Sequence, residues 1–222
     1  MEFGFTQEQE TMRDEVRQFI AENLTDEVIA EIEDGEEGGS GPHYKELRRK
    51  IAERGWVGIS WPKEYGGQDG SRIHQYIVEE EFSRVGIGVG GAGSGAPAIL
   101  AAGTEEQKQF FLPGLINGEI DLALGFTEPQ AGADLAGLQC QAIKDGDDWV
   151  INGQKMFTSS AHYATHIYLM ARTDPDAPRH RGISIFLVPM DTPGITVRPL
   201  WTIQNAPTAP KGTTYGMSRT NE

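Results

Sequence analysis

Residues 124–134, which read LGFTEPQAGAD, place a hydroxyl, a carboxylate and two backbone-shaping residues in one short segment. The apolar residues before it favour a short strand over 121–126, so a loop begins where that strand ends. Pro129 fixes one backbone angle, and Gly132 lets a ligand approach the backbone closely. The loop can therefore offer the Thr127 hydroxyl and bare backbone groups to a flat ring with polar edges. A purely structural turn explains these residues equally well.

A second segment, residues 151–160, reads INGQKMFTSS and places an aromatic ring beside hydroxyl groups. Phe157 is followed directly by Thr158 and Ser159. An aromatic surface next to hydrogen-bond donors suits stacking on a conjugated ring and recognition of its edge. We expect Thr127 at the strand exit and Phe157 at the end of a hairpin to face each other across one slot.

Three other motifs favour structural roles. Residues 86–91 satisfy G-x-G-x-x-G, but they follow the charged end of a helical stretch and no strand–helix–strand unit comes after them. His162 and His166 are four residues apart without the glutamate of a metalloprotease helix between them, so we predict no metal site. Cys140 alternates with apolar neighbours, which favours a buried thiol over a nucleophile.

Helical periodicity dominates before Asp121. Thr6 with Gln9 and Thr104 with Gln107 form two capping boxes, each of which predicts a helix start. We expect the second of these helices to stop around Gly114. Apolar residues at helical spacing predict three buried faces, formed by Met12, Val16, Phe19 and Ile20, by Tyr44, Leu47 and Ile51, and by Ile73, Ile77 and Phe82.

Residues 26–37 contain seven carboxylates and no basic residue. Charge repulsion predicts a solvated helix end and loop here. The alternative is a docking surface for a basic partner, which no other feature of the sequence supports.

Strand-like segments and turns follow Asp121, which favours a barrel or a sandwich. Residues 138–144 and 149–158 flank the turn at 145–148 and predict a hairpin. The other predicted strands cover 166–172, 182–189 and, after a turn at 191–194, residues 195–200. The sequence therefore predicts an α+β chain with an all-α domain over 1–120 and a β-barrel-like domain over 121–222.

Composition excludes several classes of function. The 222 residues carry a net charge of −14, which disfavours nucleic acid as a partner. The mean hydropathy of −0.42 and the glycines in the longest uncharged run argue against a membrane span. One cysteine and an acidic N-terminus favour a cytoplasmic protein. A last strand-like segment without a successor suggests a fragment of a longer protein.

Residues 124–134 and 151–160, with their spacing, resemble the acyl-CoA dehydrogenase family. The family pattern is a T-E-P-x-A-G-[SA]-D loop followed by a strand pair that ends in I-N-G-x-K-x-[WF]-[IT]-[TS]. Residues 56–67 (WVGISWPKEYGG) resemble the N-terminal P-x-E-Y-G-G signature of the family. Further landmarks match at 191–195 (DTPGI) and 219–222 (RTNE). Together these five ordered motifs make the resemblance specific, and it spans the whole chain.

The resemblance implies an N-terminal helical domain and a middle β-barrel-like domain, with the family's C-terminal four-helix bundle absent from this chain. It implies FAD as the cofactor. Two sets of residues would line the flavin: Leu124, Phe126, Thr127, Gly132 and Ala133 on one side, and Phe157, Thr158 and Ser159 on the other. Phe157 would pack on the isoalloxazine, with the two hydroxyls near its N5 edge.

The activity implied is α,β-desaturation of an acyl-CoA thioester, with an electron-transfer flavoprotein as the electron acceptor and a tetramer as the usual assembly. The catalytic base of the family is a glutamate expected beyond Glu222, so no catalytic base is assigned within this chain. We expect Glu128 to bond to the neighbouring backbone instead, and residues 1–222 alone to be inactive and to bind FAD poorly. Ala133, at a substrate-contacting position, stands where many members carry serine.

The Ala133 substitution leaves a second hypothesis open, in which the same scaffold serves a flavin monooxygenase-like enzyme or a non-catalytic subunit that completes a partner's site. A third hypothesis is a truncated product that acts only as an interaction module. The acyl chain length and class cannot be read from these residues.

Overall fold

The computed structural model describes residues 4–33, 41–89, 95–198 and Leu200, and these form two compact units. One unit contains the described residues up to Ile120, and the other contains those from Asp121 onward. The first is helical, and the second holds the strands. This confirms the predicted class of fold, a helical part followed by a β part.

The described part of the helical unit contains six α-helices, which are α1 (Gln7–Asn23), α2 (Asp26–Glu33), α3 (Pro42–Glu53), α4 (Arg72–Ser83), α5 (Gly95–Ala102) and α6 (Glu105–Asn117). Both capping boxes are confirmed. Thr6 Oγ1 accepts from Gln9 N at 3.3 Å, and Thr6 N donates to Gln9 Oε1 at 2.9 Å. The Thr104 and Gln107 pair makes the same two bonds at 3.2 and 2.9 Å.

Aromatic rings from three segments form the centre of this unit. The rings of Phe19 and Trp56 lie 5.1 Å apart, and the Phe82 ring lies 6.1 Å from each of them. The three predicted apolar faces supply buried residues, namely Val16, Phe19, Leu47, Ile51, Ile77 and Phe82. Met12, Ile20 and Tyr44 are only half-buried. Ile73, in the first turn of α4, is 49% exposed, while Val78 of the same helix is buried in the core.

The predicted end of α6 at Gly114 is wrong. The helix continues through Pro113 and Gly114 to Asn117, and it ends at Gly118, whose φ of +73° suits glycine. Gly114 serves close packing instead, since a Cβ there would lie 2.6 Å from Ile120 Cδ1.

The prediction for the acidic segment, residues 26–37, is only partly correct. Its first eight residues form α2 rather than a helix end and loop, and Val28 on this helix is buried. Thr25 Oγ1 accepts from Val28 N at 3.4 Å, and two carboxylates lie in the first turn, where the helix dipole favours them. Residues 34–37 lie outside the described residues.

The second unit is built on a mixed sheet of five described strands, β1 (Leu122–Gly125), β2 (Gln141–Asp145), β3 (Asp148–Asn152), β4 (His166–Arg172) and β5 (Ile183–Pro189). The strand β4 organises this sheet. Its first four residues pair in parallel with β1, all seven pair antiparallel with β5, and Arg172 pairs with Gln141 of β2. The hairpin of β2 and β3 is confirmed, with Gly146 in its turn.

Two strand predictions need correction. The strand predicted over 149–158 ends at Asn152, so Phe157 lies in an irregular segment beyond the hairpin. The strand predicted over 195–200 does not form in its described residues, because Ile195 N closes the preceding turn by donating to Thr192 O at 3.2 Å. Pro199 and the RTNE landmark at 219–222 lie outside the described residues.

Candidate functional site

The loop after β1 makes a tight turn directly beyond the strand. Glu128 N donates to Ala131 O at 2.9 Å, and Ala131 N donates back to Glu128 O at 3.1 Å, which places Pro129 and Gln130 at the exposed tip. Gly132 and Ala133 follow the turn and are exposed. Pro129 therefore shapes the turn, as the sequence predicted.

The segment after β3 carries Phe157 in an unusual backbone conformation. Its φ is +56°, in the left-handed region that non-glycine residues seldom adopt, and its side chain is 56% exposed. Strained backbone of this kind is found most often at functional sites. The ring is thus presented to its surroundings rather than packed into the core.

The hydroxyl residues after Phe157 have different surroundings. Thr158 is only 3% exposed, whereas Ser159 is exposed. Ser160 also has a positive φ, of +67°, and its hydroxyl accepts from the Tyr163 hydroxyl at 2.8 Å. Of the two hydroxyls predicted for the flavin edge, the structure leaves only that of Ser159 at the surface.

The structure brings the two predicted segments into direct contact. Met156 N donates to Thr127 O at 2.8 Å, and Lys155 Nζ donates to Phe126 O at 3.3 Å. The same ammonium makes an ion pair with Glu128 Oε1 at 2.7 Å. The loop that contains Thr127 and the residues just before Phe157 are therefore hydrogen-bonded to each other within the β unit.

The sheet supports the strand side of this structure. Leu124 on β1 pairs with Tyr168 on β4, and the Phe126 ring packs edge-on against the Tyr168 ring at 5.6 Å. Tyr168 is buried, and burial raises the pKa of its hydroxyl. A rigid strand pair thus fixes the start of the loop.

Hydrogen-bond donors occupy both carboxylate oxygens of Glu128. Its Oε2 accepts from Gln139 N at 2.6 Å and from Gln130 Nε2 at 2.7 Å, and its Oε1 accepts from Cys140 N at 2.9 Å in addition to Lys155. Burial raises the pKa of this carboxyl, but the bonds from Gln139, Lys155 and Cys140 outweigh it and hold the pKa below its ordinary value. Glu128 bonds to backbone N–H groups, the predicted kind of partner, and remains ionised.

Lys155 was not among the predicted site residues. It is only 8% exposed, although lysine is among the residues least often buried. One signal in the sequence could have identified it, because Lys155 is the single basic residue in the two segments 124–134 and 151–160. Cys140 is buried as expected, and burial raises the pKa of its thiol.

The exposed residues of the two segments fit a planar cofactor with polar edges. A Cβ on Gly132 would meet no described atom within 4 Å, so open space lies against that backbone. The exposed Phe157 ring supplies a face for stacking, and the exposed Ser159 supplies a hydroxyl. The described residues contain no group of three or more His, Cys, Asp or Glu side chains arranged to hold a metal ion.

The described helices include none that is long and apolar enough to cross a lipid bilayer.

Comparison with known proteins gives matches along nearly the whole chain. The family model described as "Acyl-CoA dehydrogenase, N-terminal domain" matches residues 6–119, and that described as "Acyl-CoA dehydrogenase, middle domain" matches residues 123–212. Acyl-CoA dehydrogenase FadE26 of Mycobacterium tuberculosis is 40% identical over 217 residues, which cover 94% of this chain and 54% of that protein. Acyl-CoA dehydrogenase FadE29 of the same organism is 38% identical over 202 residues, which cover 90% of this chain and 51% of that protein.

Among solved structures, the ChsE4-ChsE5 complex from Mycobacterium tuberculosis is similar with a TM-score of 0.82 and 36% identity. The match covers 100% of this chain and 54% of that one. The chain therefore spans about half the length of the relatives that it matches.

Proposed function

This chain belongs to the acyl-CoA dehydrogenase family, and we propose that the protein carrying it is an FAD-dependent acyl-CoA dehydrogenase. Residues 124–134 and 151–160 are called the two flavin segments below. The observation that supports the proposal most directly is that these segments are bonded to each other: Lys155 and Met156 donate hydrogen bonds to residues 126–128. We retain 1–120 and 121–222 as the proposed domains.

FAD, when bound, would supply the hydride acceptor for α,β-desaturation of an acyl-CoA thioester. The exposed Phe157 ring would contact the face of the isoalloxazine, and Ser159 would bind near its edge. Thr127 and the backbone at Gly132 and Ala133 would hold the opposite side. Thr158, although only 3% exposed, would line the same wall as Phe157 and Ser159, with its hydroxyl near that edge.

Leu124 and Phe126 would serve from the sheet side, where β4 holds them in place. The chemistry requires the substrate Cα–Cβ bond to lie between the acceptor and a base, so the rate depends chiefly on positioning. The family resemblance implies a glutamate beyond Glu222 as that base, and both oxygens of Glu128 are already occupied by hydrogen-bond donors.

The remaining assignments, apart from the cytoplasmic location, follow from the family resemblance. The substrate would be an acyl-CoA of lipid metabolism, the electron acceptor an electron-transfer flavoprotein, and the assembly a homo- or hetero-oligomer in the cytoplasm. Residues 1–222 alone would be inactive.

The test is the visible spectrum of the purified full-length protein. We expect flavin absorbance, and we expect the absorbance to bleach when an acyl-CoA substrate is added without oxygen. A protein that lacks flavin and takes up no added FAD would contradict the proposal.

A second candidate function is a flavin monooxygenase-like enzyme or a non-catalytic subunit on the same scaffold. Ala133 favours it, because the serine hydroxyl of many relatives is missing there. Flavin that bleaches only after a partner subunit is added would support the non-catalytic subunit. Flavin that consumes oxygen while substrate is hydroxylated would support the monooxygenase.

A further inference from the structure

A buried ion pair lies at the junction of the two flavin segments. Lys155 Nζ and Glu128 Oε1 are 2.7 Å apart, and the two residues are 8% and 3% exposed. Two charges removed from water are costly unless hydrogen bonds satisfy the rest of both groups. Here Glu128 accepts three further bonds, and Lys155 donates a second bond, to Phe126 O.

These bonds fix two consecutive peptide groups. Lys155 Nζ holds the carbonyl of Phe126, and Met156 N holds the carbonyl of Thr127. The described peptide bonds are all trans. Because the N–H of a trans peptide points opposite to its carbonyl, the Thr127 N–H must point away from Lys155.

We propose that Lys155 is a positioning residue for the flavin: its ammonium, held by Glu128, sets the orientation of the Phe126–Thr127 peptide and thereby the donor that Thr127 presents to the cofactor. This inference rests on the proposed function. Lys155 is only 8% exposed and its ammonium bonds to Phe126 O and Glu128, so in this proposal it acts on the flavin through those residues and not by contact.

A second buried carboxylate in an ion pair occurs in the helical unit and provides a control, although its partner Arg17 is 48% exposed. Glu81 is 4% exposed and accepts from Arg17 Nε at 2.9 Å and from Arg17 Nη2 at 3.0 Å. Neither residue is predicted to line the flavin. Its disruption should lower stability without changing the cofactor site.

The experiment measures the dissociation constant of FAD in the full-length protein, at a temperature where circular dichroism shows each variant folded. We expect Lys155→Met to raise that constant by about tenfold or more, because Phe126 O loses a charged donor. The visible flavin band should change shape in the same variant. Glu81→Gln should leave the constant and the band unchanged.

A double variant, Lys155→Met with Glu128→Gln, separates positioning from stability. It removes both charges, so we expect it to recover much of the thermal stability lost in Lys155→Met. FAD binding should stay weak, because Phe126 O still lacks its donor. Recovery of both properties in the double variant would overturn the proposal and leave the pair a structural one.

Wild-type protein that binds no FAD would overturn the proposed function, and the role of Lys155 with it. If wild type binds FAD and Lys155→Met has the same dissociation constant, only the positioning role is overturned. The double variant provides the same test if Lys155→Met does not fold.

Discussion

Phe157 combines a large exposed ring with a left-handed backbone, and each of these costs free energy. The φ of +56° is unfavourable for a residue with a Cβ, by about 1–2 kcal/mol. A 56% exposed aromatic side chain also gives up most of the stabilisation that burial would provide. Both costs are explained if the ring is held in place for a ligand.

We expect Phe157→Ala in the full-length protein to weaken FAD retention, because the variant loses stacking of about 1 kcal/mol in addition to buried area. The measurement is FAD occupancy after gel filtration. The control is Phe110→Ala, which removes a 59% exposed ring from α6. Equal occupancy in the two variants would show that the assignment of the flavin wall is wrong.

Glu128 makes a pH-dependent contribution to stability. Its pKa is lowered in the folded state, so its contribution is complete above the pKa of the unfolded chain, about 4.3, and is lost as the pH falls through the folded value. We expect the free energy of unfolding to fall on acidification below about pH 4.3, and to fall less in Glu128→Gln. Urea unfolding across that range measures both.

Glu119→Gln, at an exposed position, provides the comparison and should keep the wild-type dependence. Identical acid profiles for wild type and Glu128→Gln would contradict the role given to this carboxylate.

At the scale of single residues, the sequence predicted the kind of partner but not its position. We expected Glu128, beside Pro129, to bond to neighbouring backbone; it does bond to backbone N–H groups, but to those of Gln139 and Cys140, 11 and 12 residues along the chain. The sequence did not predict Lys155, because a lysine 27 residues away becomes a partner only after the loop and the hairpin meet.

The backbone at Gly153, in the segment 151–160, packs closely against the backbone at Cys140, next to β2. Gly153 follows β3 directly, and a Cβ there would lie 2.6 Å from Cys140 Cα. Cys140 precedes β2, and its N–H binds Glu128. The small size of Gly153 therefore keeps three parts of the site in contact.

We expect Gly153→Ala to lower the free energy of unfolding by about 1–3 kcal/mol, because backbone must move to relieve the overlap. Chemical denaturation measures the effect. Gly132→Ala is the matched variant, since its Cβ would meet open space; it should leave stability nearly unchanged while weakening FAD binding. Equal stability of the two variants would exclude a packing role for Gly153.

Elements were predictable where their signals are local. The capping boxes located the starts of α1 and α6 correctly, because each lies within four residues. The end of α6 was missed, because Gly114 resembles a terminator in sequence while its role depends on Ile120 packing against it. Residues 153–158 extend the strand pattern in sequence, but the bond from Met156 to Thr127 draws them off the sheet.

At the scale of the whole molecule, the change of periodicity near Asp121 predicted the order of the helical and β parts, and the structure confirms it. The sheet order could not be predicted in the same way. An apolar strand pattern shows which face is buried but not which strand is its neighbour, and β4 pairs with three strands.

We expect residues 1–222 expressed alone to bind FAD about tenfold or more weakly than the full-length protein. The chain spans about half the length of its relatives, and the family resemblance places part of the cofactor site in the remainder and in a neighbouring subunit. Isothermal titration of both proteins, each shown to be folded by circular dichroism, gives the comparison. Equal affinity would mean that residues 1–222 hold the cofactor without the rest of the protein.

The parallel pairing of β1 with β4 has a consequence for the order of events during folding. Asp121 and Thr165, at the start of that pairing, exchange hydrogen bonds across 44 residues of chain, and both flavin segments lie inside the loop so closed. The hairpin of β2 and β3 closes a loop of only a few residues. Pairing β1 with β4 closes a much longer loop, so more chain entropy is lost before the strand contacts form. We infer that the hairpin forms early and that the cofactor cradle is completed among the last steps, when β1 docks on β4.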